Sequence, residues 1–281
     1  MDAVLQRDAD IALSDREMDR IVRLVYERSG ITLHQGKRAL IVARLHRLLK
    51  AGGFTSFSQY VRHVETDLSG HQLSVLLDAI TTNHTSFFRE DEHFRFLADR
   101  VVPPLVAEGR PVRLWCAACS TGQEPVSIAM TLMQALPESH HGRVRLLASD
   151  ISTRALKTAG AGVYPMKVAA GVPPSLLKTY FERGLGADEG KVRVRAQLRR
   201  AIEYRRVNLI EIENLNETFD VVFCRNVMIY FDKAVQQRVV SMIERHLAPG
   251  GYLFIAHSES LNGLSHELKW MAPAVYQRRG A

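Results

Sequence analysis

Residues 112–130 read VRLWCAACSTGQEPVSIAM. Residues 112–115 form a β-type run, residues 116–122 are small, and Val126, Ala129 and Met130 then fall at helical spacing. Strand, tight small-residue loop and helix open a nucleotide-binding α/β unit. Small side chains let the backbone approach a ligand, and the helix N-terminus offers free N–H groups. The loop holds one glycine, Gly122, with neither G-x-G-x-x-G nor a P-loop lysine, so it serves dinucleotide or ATP phosphates poorly. It carries an acid instead, Glu124, at the helix start. A carboxylate suits a cation, an amino group or a ribose. S-adenosylmethionine (SAM) offers a sulfonium, an ammonium and a ribose diol.

Downstream, residues 144–149 read as a buried strand closed by Asp150. In a doubly wound sheet the acid closing the second strand reaches ribose hydroxyls. A helix over 152–159 follows, and then regularity falls away at Gly160, Gly162, Pro165, Gly171, Pro173 and Pro174. A short helix over 176–181, a turn bracketed by Gly184, Gly186 and Gly190, and an alternating half-exposed strand over 192–195 predict a small antiparallel β insertion at 165–200. Residues 202–207 give another strand, ending at Asn208. Residues 219–223 give the next, followed by CRNVMIYF. Asp232 or a neighbour starts a helix that stops at Pro249-Gly250-Gly251. A last parallel strand over 252–256 ends in HSES, and 269–278 closes the sheet as antiparallel edge material. The alternation of strands and helices predicts an α/β sheet with ligands at the carboxyl ends of its strands.

Upstream, residues 1–82 read as a small all-helical domain, leaving 83–281 for the α/β domain. Ser14-Asp15-Arg16-Glu17 has capping-box spacing, and the helix it starts ends at Gly30. A second helix over 36–49 gathers Ile41, Val42, Leu45, Leu48 and Leu49 on one side. Lys37, Arg44, His46, Arg47 and Lys50 fall on the other, with no acid between Lys37 and Lys50. That face is either solvated or a docking face for an acidic helix or phosphates. Third and fourth helices are marked by Phe57, Tyr60, Val61 and Val64, and by Leu73, Leu76, Leu77 and Ile80. Residues 81–90, TTNHTSFFRE, then break the pattern. They read as a linker with a cap, or as a ligand pocket, since polar groups beside aromatics at a domain junction suit one. A helix resumes over 90–98, and Pro103-Pro104 and then Gly109–Pro111 separate it from the first strand.

The chain has 281 residues, 46% hydrophobic and 24% charged, with a net charge of +7, enough for two soluble domains and suggestive of an acidic partner. No apolar run spans a bilayer, and the first residues are too polar for a signal peptide. Three cysteines argue against a disulfide framework and for a reducing cytosol. Cys116-x-x-Cys119 lacks a second ligand pair, so no metal is assigned, and small residues tolerated in a tight loop explain it better than redox chemistry. No G-x-S-x-G supports a hydrolase. Tyr230, at the ligand edge of the sheet, is either a packed aromatic or a reacting group.

TTNHTSFFRE, CAACSTGQEP, ASDIS, VNL, FCRNVMIYFD and GYLFIAHSES, in that order, resemble the CheR family across essentially the whole chain. These are SAM-dependent methyltransferases that esterify glutamates on bacterial chemoreceptors. The resemblance implies an N-terminal all-helical domain plus a doubly wound, Rossmann-like SAM-dependent methyltransferase domain with a small antiparallel β insertion. It implies a cofactor pocket of Asn83, Thr85, Arg89, Glu124, Asp150, Asn208, Leu209, Arg225 and Asn226, with Arg89 and Tyr230 at the reacting centre. Gln123 departs from the family, where a second acid is common. The insertion matches a subdomain that in one branch binds the receptor's C-terminal tail peptide, so the Gly184–Gly190 turn and the 191–195 strand, with Arg193 and Arg195, become docking candidates by β-augmentation. The basic face of Lys37, Arg44, Arg47 and Lys50 would meet the receptor's acidic methylation helices. A nucleic-acid methyltransferase fits less well, since the loop after the fourth strand, Arg225-Asn226-Val227-Met228, lacks an Asn/Asp-Pro-Pro-aromatic motif. A non-catalytic SAM sensor is the other alternative. The expected setting is cytoplasmic, without nucleic acid or membrane insertion.

Overall fold

The computed structural model describes residues 11–33, 36, 38–80, 85–211 and 215–280. The chain divides into two compact units, Met1–Thr82 and Asn83–Ala281.

The first unit contains four helices among its described residues: α1 (Asp15–Ser29), α2 (Arg38–Gly52), α3 (Phe57–Thr66) and α4 (His71–Ile80). The capping box forms at the start of α1, with Ser14 and Glu17 exchanging hydrogen bonds, and Gly30 ends the helix in the left-handed region. Glu17 also accepts from the backbone and hydroxyl of Ser58 at 2.9 and 2.7 Å, tying α1 to α3. The Ser14 hydroxyl contributes most to holding its carboxyl down at about 2. Ile21, Leu24 and Val25 of α1, Ile41, Leu45 and Leu49 of α2, Phe57 and Val61 of α3, and Leu76 and Leu77 of α4 build the core.

The second unit begins with α5 (Glu92–Phe96), which widens into a π turn at Leu97–Val101 and continues as α6 (Val102–Ala107). Pro103 and Pro104 therefore lie within a continuing helix rather than ending one, directly after the π turn whose Val102 N–H still bonds the Leu97 carbonyl. There follow β1 (Val112–Cys116), α7 (Gln123–Ala135), α8 (Glu138–His141), β2 (Val144–Asp150), α9 (Thr153–Ala161), β3 (Val163–Pro165), α10 (Pro174–Tyr180), β4 (Phe181–Arg183), β5 (Lys191–Val194), α11 (Ala196–Arg199), β6 (Ile202–Arg206), β7 (Phe219–Phe223), α12 (Lys233–His246), β8 (Leu247–Phe254), β9 (Lys269–Ala272) and β10 (Val275–Gln277).

The main sheet runs β6-β2-β1-β7-β8-β10-β9. Its first five strands are parallel and β10 is antiparallel to both neighbours. This is a doubly wound α/β fold whose strand order reverses between β1 and β7, where ligands bind. The sheet is sealed by apolar strands: β7 is buried at every position, and the Phe223 and Phe254 rings stack at 4.4 Å.

Two sequence expectations shift. The last parallel strand starts at Leu247, ahead of Pro249, because Leu247 pairs with Phe219 and a ladder irregularity absorbs the offset. Gly251 fits that irregularity, since a Cβ there would lie 2.8 Å from the Ala248 carbonyl oxygen. The insertion starts at Val163, and its sheet runs β3-β5-β4. β5 is therefore the central strand, paired on both sides, and the edges belong to β3 and β4.

Candidate active site at the carboxyl ends of the parallel strands

Five parallel strands deliver five loops to one side of the sheet: residues 116–122 after β1, Asp150 at the end of β2, Asn208 and Leu209 beyond β6, Arg225 and Asn226 beyond β7, and residues 257–260 beyond β8. Backbone bonds knit these tips together. Ala117 N–H donates to the Phe223 carbonyl and Cys119 N–H to the Ser149 carbonyl, each at 2.8 Å. Asp150 accepts from the N–H groups of Ser120 at 2.8 Å and Ser152 at 2.9 Å, which fixes the β1 loop against the β2 tip. Gly122 has φ 96, and a Cβ there would lie 2.8 Å from both the Ala159 Cβ and the Tyr164 hydroxyl oxygen. Only glycine fits, and the Tyr164 hydroxyl donates to the Thr121 carbonyl at 2.9 Å, pinning the insertion to this loop.

Arg225 lies at the centre. Its side chain is fully buried and its guanidinium bridges two carboxylates, Glu124 at 2.9 Å and Glu90 at 3.0 Å. It also donates to the Arg89 carbonyl at 2.6 Å, and its Cζ lies 5.9 Å from the Phe94 ring centroid. Glu124 accepts a second bond from the Cys116 thiol at 3.2 Å. Burial pushes the Glu124 carboxyl above the ordinary range, partly offset by Arg225. At Glu90 burial also pushes upward, but Arg225 and His257 together outweigh it and the net shift is downward. Cys116, Cys119 and Cys224 are buried free thiols whose pKa values burial drives up, so none is a ready thiolate.

Backbone strain gathers here. Among the described residues, five non-glycine positions have positive φ, and four of them, Phe88, Glu90, Ser120 and Asn226, belong to these segments. Each left-handed residue costs on the order of 1 kcal/mol or more, a pattern that clusters at ligand sites. Two buried polar atoms, Ser120 Oγ and Asn226 Nδ2, lack a hydrogen-bond partner among the described residues. Glu259, in the HSES segment, accepts the N–H groups of Ala256, Asn226 and Ile229 at 2.8, 3.1 and 3.3 Å. It thereby holds the loop that carries Asn226 and Tyr230. Glu90, His93 and His257 place ligand atoms within 4.8 Å of one another. The Arg225 guanidinium already neutralises Glu90, so this donor set does not fit a divalent cation. The carboxylates, orphaned polar atoms and glycine cradle do fit SAM.

The family model described as CheR methyltransferase, SAM binding domain, matches residues 83–276, and that described as CheR methyltransferase, all-alpha domain, matches residues 16–81. The chain belongs to the CheR methyltransferase family. It is a SAM-dependent methyltransferase. The protein named "Chemotaxis protein methyltransferase" of Salmonella typhimurium is 41% identical over 97% of this chain and 93% of its own length. That of Escherichia coli is 39% identical, with 97% and 94% covered. "Chemotaxis protein methyltransferase 2" of Pseudomonas aeruginosa is 41% identical, covering 92% of each chain.

In this CheR-family chain the fold brings Glu124, Asp150, Asn208, Leu209, Arg225 and Asn226 to one edge of the sheet. The Arg89 backbone joins them through Arg225, and the side chains of Thr85, Arg89 and Tyr230 are half-buried. Phe87, from the same segment, packs edge-on against Tyr164 and Phe181 of the insertion. Gln123 is buried and accepts from the Thr121 hydroxyl at 2.8 Å. Asn83 and Lys37 lie outside the described residues. Arg44 is not a free surface cation: it donates to the Ile80 carbonyl at the end of α4, 2.9 Å away. His46 packs edge-on against Phe57. Arg47 and Lys50 are exposed. Gly184 and Gly186 shape the turn before β5, where a Cβ on Gly184 would lie 2.1 Å from the Asp188 carbonyl oxygen. Arg193 is exposed on β5, and Arg195 donates to the Phe181 carbonyl at 3.2 Å. The sequence reading quoted Glu90 and Glu259 inside its motifs but gave neither a role. For Glu259 the available signal was an acid just beyond a strand; Glu90 lies before α5 and offered none of that kind.

Proposed function

We propose that this enzyme methylates glutamate side-chain carboxylates of bacterial chemoreceptors, in the cytoplasm, leaving methyl esters and S-adenosylhomocysteine. The observation that carries the reading is the pair of acids, Glu124 in the first turn of α7 and Asp150 at the β2 tip, around the Gly122 cradle. The names of the relatives supply the chemotaxis setting.

SAM supplies an electrophilic methyl group on a sulfonium when bound. Asn83, Thr85, Arg89, Glu124, Asp150, Asn208, Leu209, Arg225 and Asn226 would hold it. Asp150 suits the ribose hydroxyls and Leu209 the adenine. Arg225 keeps Glu124 in place, and the two Glu124 oxygens remain acceptors for an ammonium. A glutamate carboxylate is already ionised at neutral pH, with a free pKa of ~4.3, so no general base is needed. The chain's work is positioning and exclusion of water. Arg89 and the Tyr230 hydroxyl would hold the incoming carboxylate, without binding the ground state so tightly that the gain is lost.

The methylation helices dock on the exposed cations Arg47 and Lys50 in this reading, with Lys37 nearby in sequence. A receptor tail peptide would add beside β4, which keeps a free edge, with Arg193 and Arg195 offering charge to its acidic groups. β5 itself has no edge to offer.

Incubation with labelled SAM and receptor cytoplasmic fragments should give label that mild base releases as methanol. Base-stable label would point to N-methylation and overturn the proposal. In the same assay Tyr230→Phe should lower kcat roughly 10- to 100-fold, the worth of one hydrogen bond to a charged group, with S-adenosylhomocysteine affinity nearly unchanged. Unchanged turnover would remove Tyr230 from the reaction.

A further inference from the structure

The amino ends of the strands, opposite the cofactor side, carry a second concavity. It is a groove of about 1040 Å³ whose lining includes Arg113, Arg145, Arg199 and Arg200. We propose that this groove binds a phosphate-bearing small molecule of nucleotide size, at a site separate from the SAM pocket.

The sheet register places the arginines together. Arg113 of β1 and Arg145 of β2 are direct parallel partners, so their side chains leave the same face side by side. Arg200 stands two residues before Ile202, the partner of Leu146. Like charges directly opposite on neighbouring strands are destabilising, so the fold gains nothing from this arrangement. Among the described residues, no carboxylate hydrogen-bonds or ion-pairs with the guanidinium of Arg113, Arg145, Arg199 or Arg200. Arg145 donates only to the carbonyls of Gly142 and Val144. Arg199 Nε is buried without a hydrogen-bond partner.

Two acids also line the groove, Glu203 and Glu217, and both are already ion-paired with Arg205, at 2.6 and 3.0 Å. With those two acids held by Arg205, the four lining guanidiniums are left to face the groove. Guanidinium groups present planar donor pairs that match phosphate oxygens. The space is that of a small-molecule site, concave and nucleotide-sized, rather than a flat basic surface suited to a nucleic-acid backbone.

Inorganic triphosphate titrated calorimetrically into the full-length protein tests this, with saturating S-adenosylhomocysteine present to occupy the cofactor side. Binding is the readout, so the test does not depend on the receptor substrate. One site is expected, weakened at least tenfold by Arg113→Gln/Arg145→Gln and again by raising the salt from 50 to 300 mM, as the Debye length shrinks from about 14 to about 6 Å and screens the guanidinium–phosphate attraction. The double variant should melt no lower than the wild type, because two adjacent like charges are removed. Should it melt lower, Arg200→Gln alone decides the matter by the same tenfold criterion. No binding at 1 mM triphosphate, or binding unchanged in the well-folded variant, overturns the proposal.

Discussion

Arg225 shows how much of this site rests on one side chain. A guanidinium buried between Glu90 and Glu124 is stable only because both carboxylates face it. Arg225→Met would leave two buried carboxylates in mutual repulsion. We expect a loss of about 3–5 kcal/mol of unfolding free energy, measured by urea denaturation, as for removal of one partner from a buried charge network. A loss below about 1 kcal/mol would mean that water replaces the ion pairs. His93, beside it, is buried, and burial, followed by the Arg225 charge, lowers its pKa from 6.5 to about 4. The unfolded chain takes up that proton near pH 6.5 and the folded chain only near pH 4. Stability therefore falls as pH drops through that window, by on the order of 3 kcal/mol, and the effect is flat above and below it. Melting curves of His93→Phe between pH 7 and pH 4 should have a shallower pH slope than the wild type. Equal slopes would assign the loss to carboxylates instead.

At the scale of elements, Glu259 does for the 225–230 loop what a cap does for a helix. It gathers N–H groups from Asn226, Ile229 and Ala256, and that collection favours the positive φ of Asn226. Glu259→Gln offers one acceptor oxygen and turns an amide donor toward those N–H groups. Turnover should fall at least tenfold, since about 1.5–3 kcal/mol attaches to each hydrogen bond with a charged acceptor. Normal turnover would show the loop holds itself. Periodicity made most elements legible: the capping box at Ser14, the apolar faces of α1 to α4, and strands β1, β2, β5, β6 and β7, though not the short β3 and β4 of the insertion. It missed the central place of β5 for a physical reason. Alternation along Lys191–Val194 reports which face of a strand is wet, and says nothing about which edge is paired. The π turn at Leu97–Val101 and the early start of β8 were equally hidden, because each depends on what the segment packs or pairs against.

Across the whole molecule, Glu124 and Asp150 were legible as cofactor candidates because a parallel sheet puts every strand's carboxyl end on one side, whereas Asn208, Leu209, Arg225 and Asn226 became candidates only through the resemblance to the family. Glu124, Asp150, Asn208 and Arg225 each close or follow a strand, so their convergence follows from the alternation of elements. What each side chain touches was not legible: Arg225 and Glu124 are 101 residues apart, and no local pattern joins them. The net charge of +7 likewise does not reveal which cations are exposed. Arg44 serves the end of α4, where a cation suits the helix dipole, and Arg47 and Lys50 remain exposed. Reversing Arg47 and Lys50 to Glu should raise KM for receptor fragments and flatten its dependence on salt, with S-adenosylhomocysteine affinity unchanged. Equal KM in both proteins would return that face to solvent. No helix among the described residues is long and apolar enough to cross a membrane.

The long reach of Arg225 also sets an order of assembly. Glu90 and Glu124 are synthesised well before the residue that bridges them, so a nascent chain halted after β6 lacks that guanidinium. In the proposed reading, competence for the methyl donor arrives only once β7 has docked, late in the life of the emerging polypeptide.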